Sequence, residues 1–318
     1  MAHEGSKTVI LAALAGNAAI AVTKLAAGLY TRSSAMLSEA IHSAVDTGNQ
    51  LVLLYGMRRA SRPPDETHPF GHGLELYFWA FVVAILIFGV GAGVSIYEGV
   101  EKVRHPHPME SAYINYIVLG LSIAFESGSW WVAMREFRRS KGEQGWLDAV
   151  RRSKDPALFT VLFEDTAALL GLVVAFAGVA LAETLDAPAL DGAASIVIGL
   201  ILAAAAGFLA YECRSLLTGG CAGRRVTERI RAIAASEPGV VRPNEVLTMH
   251  FGPRDILVTL SLDFEDGLSA GEVERAVSNI ERRIKREISG ACRVFVEAQS
   301  FEAHRRSEPG AACTVEAG

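Results

Sequence analysis

Within "EAIHSAVDTGNQ", residues 39–50 of a 318-residue chain, Glu39, His42 and Asp46 interrupt a stretch that is otherwise apolar enough to exclude water. Spacings of three and four bring the three side chains onto adjoining parts of one helix face. Further acids stand inside other apolar blocks: Glu126 in "AFESGS" and the neighbours Glu164 and Asp165 in "LFEDTAALLG". An unpaired acid at a bilayer centre costs about 2.5–3.5 kcal/mol, so these carboxylates facing lipid would cost on the order of 15 kcal/mol together. They must face a cavity, one another, or a cation. An imidazole nitrogen and carboxylate oxygens from two facing helices make a small N/O site suited to a first-row divalent cation. Zinc is the leading candidate because it accepts mixed His and carboxylate ligands and needs no redox chemistry. The alternative is a structural polar network in which His42 hydrogen-bonds Asp46.

The elements that must position these residues are long helices. Stretches of about 20 mainly apolar residues recur at 7–30, 33–57, 75–100, 111–134, 156–182 and 190–217, so the fold class predicted is an α-helical membrane protein with six transmembrane helices. Basic residues concentrate in one set of connectors: Arg58, Arg59 and Arg62, then Arg135, Arg138, Arg139, Lys141, Arg151, Arg152 and Lys154, then Arg214, Arg224 and Arg225. The opposite set carries Arg32, Lys102 and Arg104, and "ETLDAPALD" has no basic residue. The bias predicts both termini in the cytoplasm. With a rise of ~1.5 Å per residue and a hydrocarbon core of ~30 Å, His42 and Asp46 lie ~14 and ~20 Å below the outer face, and Asp165 lies ~16 Å below it. The two helices thus bring their ligands to one level, which weighs against the structural network. Asn17 lands near mid-depth, Glu39 nearer the outer mouth and Glu126 nearer the inner one.

After "LLTGG" the chain becomes soluble in character. Helix signals at 226–236 and 269–288 and strand-like runs at 245–251, 256–264 and 292–299 give the order αββαβ, a small two-layer α+β domain. The predicted organisation is a transmembrane domain over 1–218, a cytoplasmic domain over 219–302 and a polar, disordered tail over 303–318. Cys213, Cys221, Cys292 and Cys313 have no CxxC spacing, so neither a structural zinc site nor a disulfide framework is expected. The first apolar stretch reads as a span rather than a cleavable signal. Arginines in connectors and acids elsewhere give no nucleic-acid-binding pattern. No nucleotide-binding loop and no nucleophile with a base at workable spacing is present, so no enzyme, cofactor or ATP-driven pump is expected.

The segment "SEAIHSAVDTGNQLVLLYGMRRASRPPDETHPFGHG" resembles the second span and following loop of the cation diffusion facilitator family, secondary transporters of zinc and manganese. "GNAAIAVTKLAAGLYTRSSAMLSEA", "SIYEGVEKVRHP" and the αββαβ order extend the resemblance to about residue 300. "FEDTAALLG" with "AFESGS" is similar to the branch that includes the mitochondrial zinc transporter nine. The resemblance implies a ferredoxin- or metallochaperone-like C-terminal domain that dimerises, and a transport site of two residues spaced by four on each of the second and fifth spans. His42 and Asp46 supply the first pair and Asp165 half of the second. The remaining position is Val161, which cannot ligate, so the fourth ligand is left among Glu164, Asn17, Glu126 and water. Glu126 and Glu164 are alternatively proton carriers, and Glu39 an accessory residue. Asp65, His68 and His72 of "DETHPFGHG" match a second, weaker loop site, against the reading that this loop only packs and turns. The expected function is export of a divalent metal from the cytoplasm by proton antiport with alternating access. Zn2+ is the expected substrate, with Mn2+, Fe2+, Co2+ or Ni2+ as alternatives and a cation channel or a non-transporting, metal-sensing scaffold as competing classes. Protons, the lipid bilayer and a second copy of the chain are the expected partners. Ala-, Gly- and Arg-rich usage points to a bacterial inner membrane. His250 is expected to be an ordinary strand residue, and His105 and His107 solvated loop residues.

Overall fold

The computed structural model describes residues 2–31, 34–106, 112–141, 155–253 and 255–307. It divides into two compact units, Met1–Ser61 with Glu75–Arg214, and Arg62–Leu74 with Ser215–Gly318. The loop after the second helix clusters with the C-terminal unit.

The first unit is helical: α1 (Ala2–Thr31), α2 (Ser34–Ala60), α3 (Leu74–Arg104), α4 (Ala112–Lys141), α5 (Pro156–Thr184) and α6 (Ala189–Leu217). Each falls on one of the six apolar stretches. Among the described residues, five of these helices contain stretches long and apolar enough to cross a membrane, namely Ser6–Ala26, Leu74–Arg104, Tyr116–Arg139, Pro156–Thr184 and Ala189–Leu217. The helix outside that group is α2. Its 27 residues give a length of about 40 Å, which suffices, but it is the helix that carries Glu39, His42, Asp46, Asn49 and Gln50.

Helix α1 packs against α2, α4 and α5, and α4 packs against α5. The start of α5 is fixed locally: Asp155 caps it by accepting from the Ala157 N–H at 3.2 Å, Pro156 fills the first turn, and the Ser6 hydroxyl of α1 donates to the same carboxylate. Helices α3 and α6 meet through glycine. A Cβ on Gly99 would stand 2.7 Å from the Gly192 carbonyl oxygen and 2.8 Å from the Ile196 nitrogen, so the two backbones touch as small residues allow in membrane helices. Six residues of α3, Ile87–Ala92, form a π-helical turn, a feature that the apolar pattern did not reveal. At its start α3 is held to α2 by Arg59, whose Nε donates to Glu75 Oε1 at 3.0 Å, while Trp79 Nε1 donates to Glu75 Oε2 at 2.9 Å.

In the second unit α7 (Arg224–Ala235), β1 (Val240–Gly252), β2 (Asp255–Phe264), α8 (Ala270–Glu287), β3 (Ala291–Ala298) and α9 (Phe301–Ser307) follow one another. The sheet order is β1-β2-β3, with β1 antiparallel and β3 parallel to β2. Ile256, Val258, Leu260 and Leu262 alternate along β2 and share one core with Ile230 and Ile233 of α7 and Ile280 and Ile284 of α8, the period-two pattern of a strand with one covered face. Helix α8 opens on Ser269, whose N–H and hydroxyl both donate to Glu272 Oε2, at 2.8 and 2.7 Å. Residues 301–307 are helical where the sequence placed the beginning of a disordered tail; residues 308–318 lie outside the described residues.

Candidate metal site

Asp46 lies on α2, Glu126 on α4, and Glu164 and Asp165 on α5. Electrostatic interaction links Glu126 with Asp165 and Asp46, Glu164 with Asp46 and Asp165, and Asp165 with Asp46. Glu126, Glu164 and Asp165 are buried, Asp165 to 1% exposure. The backbone of α2 runs through Glu39 and His42, but their side chains lie outside the described residues. Asn17 is buried on α1, next to Gly16, which packs on α4 at the level of Phe125 and Ser129.

The adjacent acids on α5 have different partners because consecutive helical residues point about 100° apart. Asp165 turns to α4 and accepts from the Ser129 hydroxyl at 2.6 Å. Glu164 turns to α2, where Gln50 Nε2 donates at 2.8 Å and Asn49 Nδ2 at 3.3 Å. Each carboxylate oxygen has a second lone pair, so none of these bonds exhausts the acid's capacity to accept. Val161 is fully buried and apolar, and no carboxylate replaces it on its own part of the helix.

A cation already resides in this bundle. Lys24 of α1 is buried, donates from Nζ to the Ser43 hydroxyl of α2 at 3.0 Å, and acts on Glu126 with a charge opposite to that of the acids. Asn49, Gln50, Ser129 and Lys24 all escaped the reading of the sequence. The first two stand in the same "DTGNQ" as Asp46, and two amides one turn beyond an acid in an apolar helix were the available signal. Ser129 and Lys24 had none, since a serine in a helix and a lysine near an apolar boundary are ordinary.

Asp65, His68 and His72 are brought together in the second unit, each offering one ligand atom within 4.8 Å of the others. His72 Nε2 lies 2.9 Å from Asp65 Oδ2, and the two imidazole rings are 4.2 Å apart. Asp65 Oδ1 accepts from the Thr67 hydroxyl at 2.7 Å, the His68 N–H at 2.7 Å and the Thr67 N–H at 2.9 Å. The Thr67 hydroxyl first, then the His68 N–H and His72, hold its carboxyl well below the usual range. Gly71 has a φ of 93°, a backbone that glycine adopts without strain. Phe70 stacks flat on Phe251 of β1, ring centres 5.0 Å apart, so the loop is seated on the sheet of its own unit. His250 is buried in β1, with Nδ1 3.2 Å from the Gly252 carbonyl oxygen. His105 lies 2.9 Å from the Glu101 carboxylate, and both are exposed; His107 lies outside the described residues.

Long apolar helices that gather acids at their centre belong to proteins that handle ions within a membrane. The chain belongs to the cation efflux family: the profile described as the cation efflux transmembrane domain matches residues 10–218. It is similar to the proton-coupled zinc antiporter SLC30A9, mitochondrial, of Xenopus laevis, at 33% identity over 83% of this chain and 48% of that protein. The Homo sapiens protein of the same name is 31% identical over 82% of this chain and 46% of its own length. The chain thus spans about half the length of these antiporters. The cation-efflux pump FieF of Escherichia coli is 26% identical over 88% of each chain.

Proposed function

We propose that the protein exports a divalent metal cation, with Zn2+ the preferred substrate, by proton antiport and alternating access. The charge interaction of Asp46 with Asp165 across two helices, and of both with Glu126 and Glu164, in a chain of the cation efflux family carries this reading. In it α2 is a sixth span, both termini are cytoplasmic, and the membrane is a bacterial inner membrane. The C-terminal unit is a ferredoxin-like module that pairs two copies of the chain.

Asp46, Asp165 and neutral His42 hold the dication, and protonation of these ligands releases it, because each must lose its proton to coordinate. Asp165 reaches its position already oriented by Ser129, leaving lone pairs for metal. With Val161 at the fourth position, ligation is completed by water or by a neighbouring oxygen. Glu126 and Glu164 accept protons or hold the metal transiently. Asn17 and Glu39 are accessory groups. Asp65, His68 and His72 are a weaker, non-transporting site. The oxygen-rich donor set around Asp46 and Asp165 favours Mn2+ as a second reading, since carboxylate and water suit that ion while imidazole suits zinc.

Metal uptake by proteoliposomes across five divalent metals tests the proposal. Saturable Zn2+ flux driven by an opposing pH gradient is expected. Flux that is unsaturable and indifferent to the gradient would make the protein a channel, and binding without flux would make it a scaffold.

A further inference from the structure

The bundle contains a second group of oxygens, one helical turn beyond Asp46. Gln50 and Asn49 donate their amide N–H groups to the two oxygens of Glu164. Their own oxygens, Gln50 Oε1 and Asn49 Oδ1, are buried with no hydrogen-bond partner, as is the hydroxyl of Thr160. All three side chains are at least 98% buried, and Glu164 nearly so. Thr160 precedes Glu164 by four residues and shares its helix face. Each orphaned amide oxygen is one covalent angle away from the nitrogen bound to Glu164.

Buried acceptors without donors are rare in folded proteins and call for a physical account. Rotation of a carboxamide by half a turn exchanges its oxygen and nitrogen. With a cation beside Glu164, both amides present oxygen to it in place of N–H, and the acceptors that lacked partners become ligands. Without the cation, the amides turn their N–H groups to the bare carboxylate. We propose that Glu164, Asn49, Gln50 and Thr160 form a second, all-oxygen binding site for a hard divalent cation, in which the two amides invert as the ion arrives. Carboxylate, amide carbonyl and hydroxyl oxygens are the donor set that such ions prefer. This extends the reading of Asp46 and Asp165 by one stop on the same path and rests on that reading for the path alone. If α2 descends toward the cytoplasm as its arginines Arg58 and Arg59 imply, the ion meets this site first and loses part of its hydration there.

Mn2+ binding to the full-length protein, followed by electron paramagnetic resonance, tests the assignment. Asp65→Ala removes the loop site, and adding Asp46→Asn and Asp165→Asn removes the central pair. This triple variant should still bind one Mn2+. Adding Gln50→Met or the milder Thr160→Val should weaken that ion by about tenfold or more. Asn49→Asp, which exchanges an N–H donor for a second carboxylate oxygen, should tighten it. A folded, monodisperse triple variant that binds no Mn2+ would overturn the site and assign the orphaned oxygens to water. So would binding that ignores Gln50→Met and Thr160→Val, or that weakens with Asn49→Asp, the result expected if the amides serve only to hold Glu164. The central pair is judged separately, by whether Asp46→Asn and Asp165→Asn remove one ion relative to Asp65→Ala alone.

Discussion

The proposed transport pair, Asp46 and Asp165, and the proposed loop site of Asp65, His68 and His72 stand in different settings. Asp46 and Asp165 sit in the helical bundle, and in the proposed mechanism each supplies a carboxylate to the ion that Glu126 and Glu164 touch only transiently. Asp46→Ala and Asp165→Ala should each lower Zn2+ flux to the level of protein-free vesicles, whereas Asp65→Ala or His72→Ala should at most reduce it; vesicle uptake measures both. The Asp65 carboxylate is exposed and held ionised by Thr67, His68 and His72. Its folded value lies below the unfolded value of about 3.9. It therefore supports the loop fully above that value and loses this support only as pH falls through the folded value. Protection of the Thr67 and His68 amides from hydrogen exchange should stay constant between about pH 8 and 5 once intrinsic exchange rates are divided out, and fall only in stronger acid.

At the scale of the elements, close helix contact and end-capping make separate predictions. Gly99→Val would drive a side chain into the Gly192 carbonyl and the Ile196 backbone, an overpacking that costs roughly 1–3 kcal/mol; Gly120, with nothing within 4 Å of an added Cβ, should accept Ala. Thermal unfolding in detergent should separate the two variants. Ser269→Ala removes the hydroxyl partner of Glu272 and should destabilise α8 by about 1 kcal/mol, seen as faster exchange in its first turn. These elements differed in how well the sequence revealed them. The helices of the first unit were legible because lipid demands about 20 apolar residues in a row, and α8 because Ser269 and Glu272 announce its start. The π-helical turn at Ile87–Ala92 was hidden, since hydropathy is blind to how the backbone winds. Asp46 and Asp165 stood out because acids are costly in an apolar helix. Asn49, Gln50 and Ser129 did not, because uncharged polar residues acquire meaning only from the side chains across the helix interface.

At the scale of the whole molecule, membership of the cation efflux family, apolar helices and buried acids support the proposed coupled movement of metal and protons. In the proposed mechanism the coupling follows from competition: metal and proton would claim the same ligand lone pairs, so a proton gradient across the membrane would become a gradient in metal affinity. A structural bundle of the same shape would show no such exchange. The most direct measurement is Zn2+ accumulation in proteoliposomes under an imposed pH gradient, with the wild type beside Asp46→Ala and Asp165→Ala. The account predicts uptake that follows the opposing gradient, vanishes when the gradient is collapsed, and is absent from both variants. Undiminished, gradient-independent uptake by either variant would contradict it.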